Sequence, residues 1–128
     1  MPFVRVEIIN GKTTEYKKTL LQAIHDALII SLEIEDDDRF ARLYELEADH
    51  FERRKAKTDR FTLIELILLP GRSKELKRTV IKEITRLLNE RLCIHATDIF
   101  IIIHEPPLDN WGCYGEQASD LNLTYKLE

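Results

Sequence analysis

The sequence predicts an α/β (α+β) fold in which two tandem β-α-β repeats form a four-stranded mixed sheet with two helices on one face. Two observations support this prediction: an internal repeat with an offset of 60 residues, and the succession of strand, helix and strand patterns within each copy. A chain of 128 residues can bury one core without metals or disulfides, so we expect a single domain at residues 1–128. That domain divides into repeat one at about 2–46, a connecting loop at 47–60, repeat two at about 61–105, and a C-terminal loop and tail at 106–128.

The repeat appears when Gly11 is placed on Gly71, which aligns the two halves without a gap over about forty positions. Chance rarely keeps one register for so long. We therefore interpret the repeat as a duplicated gene segment fused in tandem. The identical pairs include Glu15/Glu75, Lys17/Lys77, Ile24/Ile84, Leu28/Leu88, Asp38/Asp98 and Phe40/Phe100.

Repeat one reads as a strand, a turn, a helix and a second strand. Residues 3–9 alternate between apolar and charged side chains, which is typical of a half-buried strand. Gly11 interrupts the strand, and Thr13 can cap the helix because its side-chain oxygen can accept an unpaired backbone N–H. We expect the second strand at residues 40–45. Apolar and small residues recur along the helix at spacings of three and four, namely Tyr16, Leu20, Ala23, Ile24, Ala27, Leu28 and Ser31.

Repeat two has the same pattern. A strand is expected at residues 61–69, Gly71 interrupts it, and Ser73 is the candidate helix cap. The second strand of this repeat is expected at residues 99–104. The helical stripe consists of Leu76, Val80, Ile84, Leu87, Leu88 and Leu92.

Two strands joined through a helix form a right-handed crossover, so the strands within each repeat should run parallel. Residues 61–69 and 99–103 are largely apolar on both faces, although two helices can cover only one face of the sheet. The other face needs a partner, and the same surface of another subunit can supply it. The sequence therefore predicts a homo-oligomer.

Composition excludes several classes of function. A formal net charge of −4 gives no electrostatic footprint for nucleic acid or an anionic membrane, and the basic run at residues 53–57 reads as a solvated loop. Cys93 and Cys113 form no CxxC, and the four histidines have no metal-ligand spacing, so we expect reduced thiols and no metal site. No signal-peptide pattern or membrane-length apolar run is present, which favours a soluble cytoplasmic protein.

The second residue suggests a chemical function. Initiator methionine is normally removed before proline, which would leave Pro2 as a free secondary amine at the start of a strand. An apolar pocket and a nearby cation both lower the pKa of an amine, and a base with a pKa near neutrality suits proton transfer α to a carbonyl. The proline ring also fixes the nitrogen relative to the strand.

The repeat indicates what lies near that amine. The residue equivalent to Pro2 in repeat two is Thr62, which cannot be a terminus, so only one copy can keep the amine. If the two repeats run antiparallel, the end of the strand at 61–69 lies near the start of the first strand. Arg72 could then present its guanidinium, and the helix N-terminus its N–H groups, to an anionic substrate.

These motifs, in this order and spacing, resemble the fused, double-length tautomerases, in the branch that contains malonate semialdehyde decarboxylase and its uncharacterised bacterial relatives. The resemblance covers about residues 2–115. It implies a tautomerase-like fold, homotrimers, an amino-terminal proline as catalytic group, and neither a metal nor an organic cofactor. The motifs that carry it are Pro2, Gly11-Lys12-Thr13, Asp37-Asp38-Arg39-Phe40, Gly71-Arg72-Ser73 and Asn110-Trp111-Gly112.

The resemblance also implies roles for individual residues. Pro2 would be the acid/base, Asp38 would assist the proline or a water, and Arg72 would bind the substrate carboxylate. Trp111 would lie near the pocket, and Arg39 is a candidate helper. Because Asp98 occupies the same turn in repeat two, Asp38 could instead be a turn former.

Two departures from the family pattern bear on the reaction. The decarboxylase has a second arginine where this chain has Pro70, and a tyrosine where this chain has Phe40, which we also place among the substrate-binding residues. Loss of a charged clamp and a phenol argues against decarboxylation. The reaction that remains as the leading hypothesis is keto–enol tautomerisation of a small anionic 2-oxo acid. The alternatives are a decarboxylase-like lyase, a family member that has lost its activity, or a non-catalytic ferredoxin-like module that binds small molecules.

Overall fold

The computed structural model describes residues 1–128 and contains the predicted sheet and helices. Each repeat supplies two strands and one 19-residue helix, and a short hairpin follows repeat two. Neither helix combines the length and apolarity needed to cross a membrane. The elements are β1 (Phe3–Ile9), α1 (Thr14–Leu32), β2 (Ala41–Leu46), β3 (Thr62–Ile67), α2 (Lys74–Leu92), β4 (Ile99–His104), β5 (Gly112–Cys113) and β6 (Glu116–Gln117).

The four long strands form one mixed sheet in the order β2-β1-β3-β4. Strands β1 and β2 run parallel, as do β3 and β4, while the central pair β1 and β3 is antiparallel. The predicted fold class is confirmed. Each outer strand runs parallel to its central neighbour. This distinguishes the sheet from a ferredoxin-like one, in which the outer strands run antiparallel to the central strands beside them.

The duplicated caps begin both helices in the same way. The hydroxyl of Thr13 accepts the N–H of Tyr16 at 3.1 Å, and the hydroxyl of Ser73 accepts the N–H of Leu76 at 3.1 Å. Each side chain thereby satisfies an N–H that the first helical turn leaves unpaired. Each helix is followed by a cap residue in the left-handed conformation, Glu33 after α1 and Cys93 after α2.

Two strands have boundaries that differ from the prediction, because pairing with β1 sets them. Strand β2 covers Ala41–Leu46 rather than 40–45, since its ladder with β1 runs from Val4 to Ile9. Strand β3 ends at Ile67, which lies opposite Phe3 at the first position of β1. Beyond that point the chain has no partner in β1 and turns toward α2.

The helices pack on one face of the sheet, and the other face remains uncovered. Nineteen buried residues form the core, and they come from β1, β3 and the residue after it, both helices, and the segments before and at the start of β4. We call the uncovered surface the open sheet face; it includes the side chains of Tyr44, Leu63, Phe100 and Ile102. The exposed fractions are 40% for Tyr44, 53% for Phe100 and 45% for Ile102, which is high for large apolar side chains in regular strands.

Candidate active site

The antiparallel pairing of β1 with β3 brings Arg72 toward the amino terminus. Phe3 lies opposite Ile67, and the turn that follows β3 leads through Leu69 to Arg72 just before α2. Met1 and Arg72 consequently line the same cavity. The sequence repeat predicted that Arg72 would lie near the amino terminus in this way.

Two cavities share Asp38 in their walls. The larger, about 380 Å³, we call the Arg72 cavity; the smaller, about 210 Å³, we call the apolar cavity. Pro2 is buried and lines the apolar cavity, whereas the preceding residue Met1 lines the Arg72 cavity. The bond that joins these two residues, and with it the nitrogen of Pro2, therefore lies between the two spaces. The apolar cavity is also lined by Val4, Leu21, Ile24, Leu28, Phe40 and Ala41.

Arg72 is only 7% exposed, and its hydrogen bonds within the protein are incomplete. Its Nη1 donates to the carbonyl of Leu69 at 2.9 Å, but its buried Nε has no hydrogen-bond partner. A buried polar group without a partner is costly unless a ligand or water satisfies it. Burial lowers the pKa of the Arg72 guanidinium from its ordinary value, while Tyr125 and Glu105 act in the opposite direction.

The C-terminal tail completes the wall around Arg72. The aromatic ring of Tyr125 lies 5.0 Å from the guanidinium carbon, in cation–π range, and its hydroxyl donates to the carbonyl of Pro70 at 2.8 Å. The carbonyl of Leu127 accepts the N–H of Ser73 at 2.7 Å. The tail therefore holds both the guanidinium and the turn that presents it.

Asp38 lies at the amino terminus. Its Oδ2 accepts from the amino group of Met1 at 2.6 Å, and the two groups form an ion pair. Its repeat partner Asp98 is used differently: it is buried and accepts hydrogen bonds from the backbone and hydroxyl of Thr58 in the connecting loop. The two aspartates occupy equivalent turns, but only the carboxylate of Asp98 is bound by the connecting loop.

Arg39 and Phe40 line the apolar cavity from the same turn. Arg39 is exposed and uses three of its five N–H groups: its Nε and Nη2 donate to Asp36 and its Nη1 donates to Gln22, at 3.0 to 3.1 Å. The ring of Phe40 packs against Phe3 with 4.8 Å between ring centres.

Trp111 lines neither cavity in this subunit. Its ring lies 6.0 Å from that of Phe3, next to Pro2 in the chain, and its Nε1 donates to the carbonyl of Pro106 at 3.0 Å. The tryptophan thus supports the start of β1 from the side of the hairpin loop.

Two residues at the site were not found from the sequence. His25 is buried in α1, lines the apolar cavity, and places its Nε2 2.8 Å from the carbonyl of Asp36, which requires the tautomer with a proton on Nε2. The signal that could have found it is its spacing from Leu21 and Leu28, which puts His25 on the same face of α1 as these two residues. Tyr125 offered no such signal, because the tail has no regular pattern.

No group of three or more histidine, cysteine, aspartate or glutamate side chains is arranged to hold a metal ion. Both cysteines are free; Cys93 is exposed and Cys113 is buried.

Two family models for "Tautomerase enzyme" match the chain, one over residues 38–113 and the other over residues 2–54. The chain is similar to a "Probable tautomerase YusQ" of Bacillus subtilis (strain 168), with 24% identity over 88% of this chain and 92% of the relative. It is also similar to the 2-hydroxymuconate tautomerase of Comamonas testosteroni, with 37% identity over 44% of this chain and 90% of that shorter relative.

Solved structures with the same fold include fused 4-OT and malonate semialdehyde decarboxylase. A symmetric trimer of fused 4-OT superposes with a TM-score of 0.80 at 24% identity, covering 91% of this chain and 96% of that chain. The decarboxylase superposes with a TM-score of 0.80 at 22% identity, covering 93% of this chain and 98% of that chain. At this level of identity, the likeness establishes the fold.

Proposed function

The chain belongs to the tautomerase family as a double-length member, and on that premise we propose that the amine of Pro2 moves a proton at the carbon α to the carbonyl of a small 2-oxo acid. The observation that supports the proposal is that Pro2 lines the apolar cavity while the adjacent Met1 lines the Arg72 cavity, with Asp38 shared by both. Removal of Met1 would expose the secondary amine at this boundary.

The proposed step needs one base and one anion site. The nitrogen of Pro2 accepts the proton from the α carbon, the electrons of the broken C–H bond form the C=C bond, and the carbonyl oxygen takes up the charge as an enolate. The resulting ammonium of Pro2 then returns the proton to that oxygen, which gives the enol. The reverse sequence gives the keto acid, and no cofactor takes part in either direction.

Arg72 and Asp38 have separate parts in this step. The guanidinium of Arg72, which lines the larger cavity, donates to the substrate carboxylate and holds it where enolate charge develops. The carboxylate of Asp38 stabilises the ammonium that forms on Pro2, in the way it now pairs with the amino group of Met1. Arg39 and His25 hold the turn that carries Asp38, since both contact Asp36.

The open sheet face supports a homotrimer as the working form. Tyr44, Phe100 and Ile102 would bury their exposed apolar area against another subunit, which removes it from water. The fused 4-OT of the same fold forms symmetric and asymmetric trimers.

A direct assay follows the exchange of α-carbon hydrogen for deuterium in 2-oxo acids by NMR in D₂O, using protein shown by intact mass to lack Met1. We expect catalysed exchange, because proton removal at that carbon is the proposed step. If exchange with pyruvate, phenylpyruvate and 2-oxoglutarate never exceeds the buffer rate, the proposed function is wrong.

The repeat supplies a matched pair of variants. Asp38→Asn should lower kcat/KM for exchange by about tenfold or more, the value of one hydrogen bond to a charged group, with little change in thermal unfolding. Asp98→Asn should instead lower the free energy of unfolding by about 1–3 kcal/mol, because the contacts of Thr58 lose their charged acceptor. Equal losses of activity in both variants would mean that Asp38, like Asp98, only stabilises the fold.

One observation favours a second reaction, decarboxylation of a small 3-oxo acid. The carboxylate of Asp38 lies 2.6 Å from the amino group of Met1, and such a contact stabilises a protonated amine. A protonated Pro2 would act as an acid toward the carbonyl or the carbanion left after loss of carbon dioxide. Release of carbon dioxide from malonate semialdehyde without α-carbon exchange of 2-oxo acids would favour this reaction over the first.

A further inference from the structure

We infer that Tyr125, in the C-terminal tail, is a positioning residue for Arg72 and sets the affinity of the site for the substrate carboxylate. The inference rests on the proposed function, because it takes Arg72 as the group that binds this carboxylate. It extends the site to the tail that follows β6, a segment in which the sequence predicted no site residue.

The guanidinium of Arg72 has few contacts that fix its position. Only its Nη1 has a hydrogen-bond partner in the protein, the carbonyl of Leu69 at 2.9 Å. The ring of Tyr125 supplies a second contact, since its centre lies 5.0 Å from the guanidinium carbon. The attraction between a cation and an aromatic face uses no N–H group, so the ring does not compete with a carboxylate for donors. Without the ring, the long arginine side chain would regain rotamer freedom, which carboxylate binding would then have to remove.

The ring of Tyr125 is itself held by the turn that carries Arg72. Its hydroxyl donates to the carbonyl of Pro70 at 2.8 Å, on one side of the arginine. On the other side, the N–H of Ser73 donates to the carbonyl of Leu127 at 2.7 Å. These two hydrogen bonds tie the tail to the turn on both sides of Arg72, so the ring keeps a defined position relative to the guanidinium.

Repeat one makes a related contact in a different way. Lys12 is the counterpart of Arg72, and its Nζ lies 5.9 Å from the ring centre of Tyr16 in α1. The residue equivalent to Tyr16 in repeat two is Leu76, so α2 has no ring at this position. The tail supplies the ring instead. Because Tyr125 lines the Arg72 cavity and Tyr16 lines neither cavity, only the contact made by the tail belongs to the candidate site.

Two variants of Tyr125 separate the ring from the hydroxyl, in protein that lacks Met1. In the deuterium-exchange assay, Tyr125→Leu should raise KM by about fivefold to thirtyfold, the range of a desolvated cation–π contact, and change kcat by less than about threefold. Tyr125→Phe keeps the ring, so its KM should stay within about threefold of the wild-type value. An unchanged KM in Tyr125→Leu, or an equal rise in Tyr125→Phe, would overturn the inference.

The matched control is Tyr16→Leu, which gives repeat one the residue that repeat two has at the equivalent position. Both leucine variants remove a ring beside an equivalent cation, and thermal unfolding measures what each ring contributes to stability. Tyr16→Leu should leave KM unchanged even where it lowers the unfolding temperature. An equal rise of KM in both leucine variants would contradict a positioning role for Tyr125, because it would follow from lost stability alone.

A binding measurement distinguishes failure of this inference from failure of the proposed function. Oxalate resembles the enolate of a 2-oxo acid, and titration calorimetry measures its Kd without any turnover. The Kd should rise by about fivefold or more in Tyr125→Leu and much less in Tyr125→Phe. If wild-type protein catalyses no exchange, the proposed function is wrong, and the oxalate comparison still tests Tyr125. Equal Kd values for wild type and Tyr125→Leu, or no oxalate binding by the wild type, would overturn the inference.

Discussion

Pro2→Ala is expected to lower kcat/KM for α-carbon exchange by about 100-fold or more, the lower end of what a positioned acid/base contributes. Alanine also leaves a free amine after removal of Met1, but this amine is primary and is not held by a ring. The loss should appear mainly in kcat, because the carboxylate site at Arg72 is unchanged.

The matched control for this variant is Pro107→Ala, which changes an exposed loop proline near β5. Both variants should unfold within a few degrees of the wild type, since neither change opens the core. Equal exchange rates for Pro2→Ala and wild type, with Met1 absent from both, would remove Pro2 from the mechanism.

Arg72→Ala is expected to lower kcat/KM by about 10- to 150-fold, which corresponds to the loss of one or two hydrogen bonds to a charged group. Most of the change should be in KM, because the guanidinium holds the carboxylate in both the ground state and the enolate. Arg72→Lys should recover only part of the loss, since an ammonium cannot reproduce the donor geometry of the guanidinium.

Lys12→Ala is the control that the duplication offers. The Nζ of Lys12 contacts the carbonyl of Ile9 at 3.4 Å, as Arg72 contacts that of Leu69 in repeat two, but Lys12 lines neither cavity. Its replacement should leave exchange unchanged. A loss in Lys12→Ala as large as that in Arg72→Ala would indicate a general effect of the turn rather than carboxylate binding.

The duplicated parts of the fold could be predicted because local chemistry and long-range packing agree there. Thr13 and Ser73 cap helices in both repeats, and the apolar stripes that follow them fill one core. The antiparallel arrangement of the repeats then fixed the approach of Arg72 to the amino terminus. Only the strand ends shifted, because pairing with β1 decides where each ladder stops.

The parts that could not be predicted depend on contacts between distant segments. Asp38 and Asp98 have different hydrogen-bond partners, although they are equivalent in the repeat. Asp38 binds the amino terminus, whereas Asp98 binds Thr58. Tyr125 covers Arg72 from a tail without any regular pattern. The resemblance implies that Trp111 lies near the pocket, and in this subunit its ring lies beside that of Phe3.

The most direct measurement compares exchange by the same protein with and without Met1. Unprocessed protein can be treated with a methionine aminopeptidase, and the processed fraction read by intact mass at each time. An amide nitrogen cannot accept a proton at neutral pH, so we predict that the exchange rate rises from the buffer level in proportion to the fraction of chains that begin at Pro2. Full activity in protein that retains Met1 would contradict the account, because the nitrogen assigned to the chemistry would then be blocked.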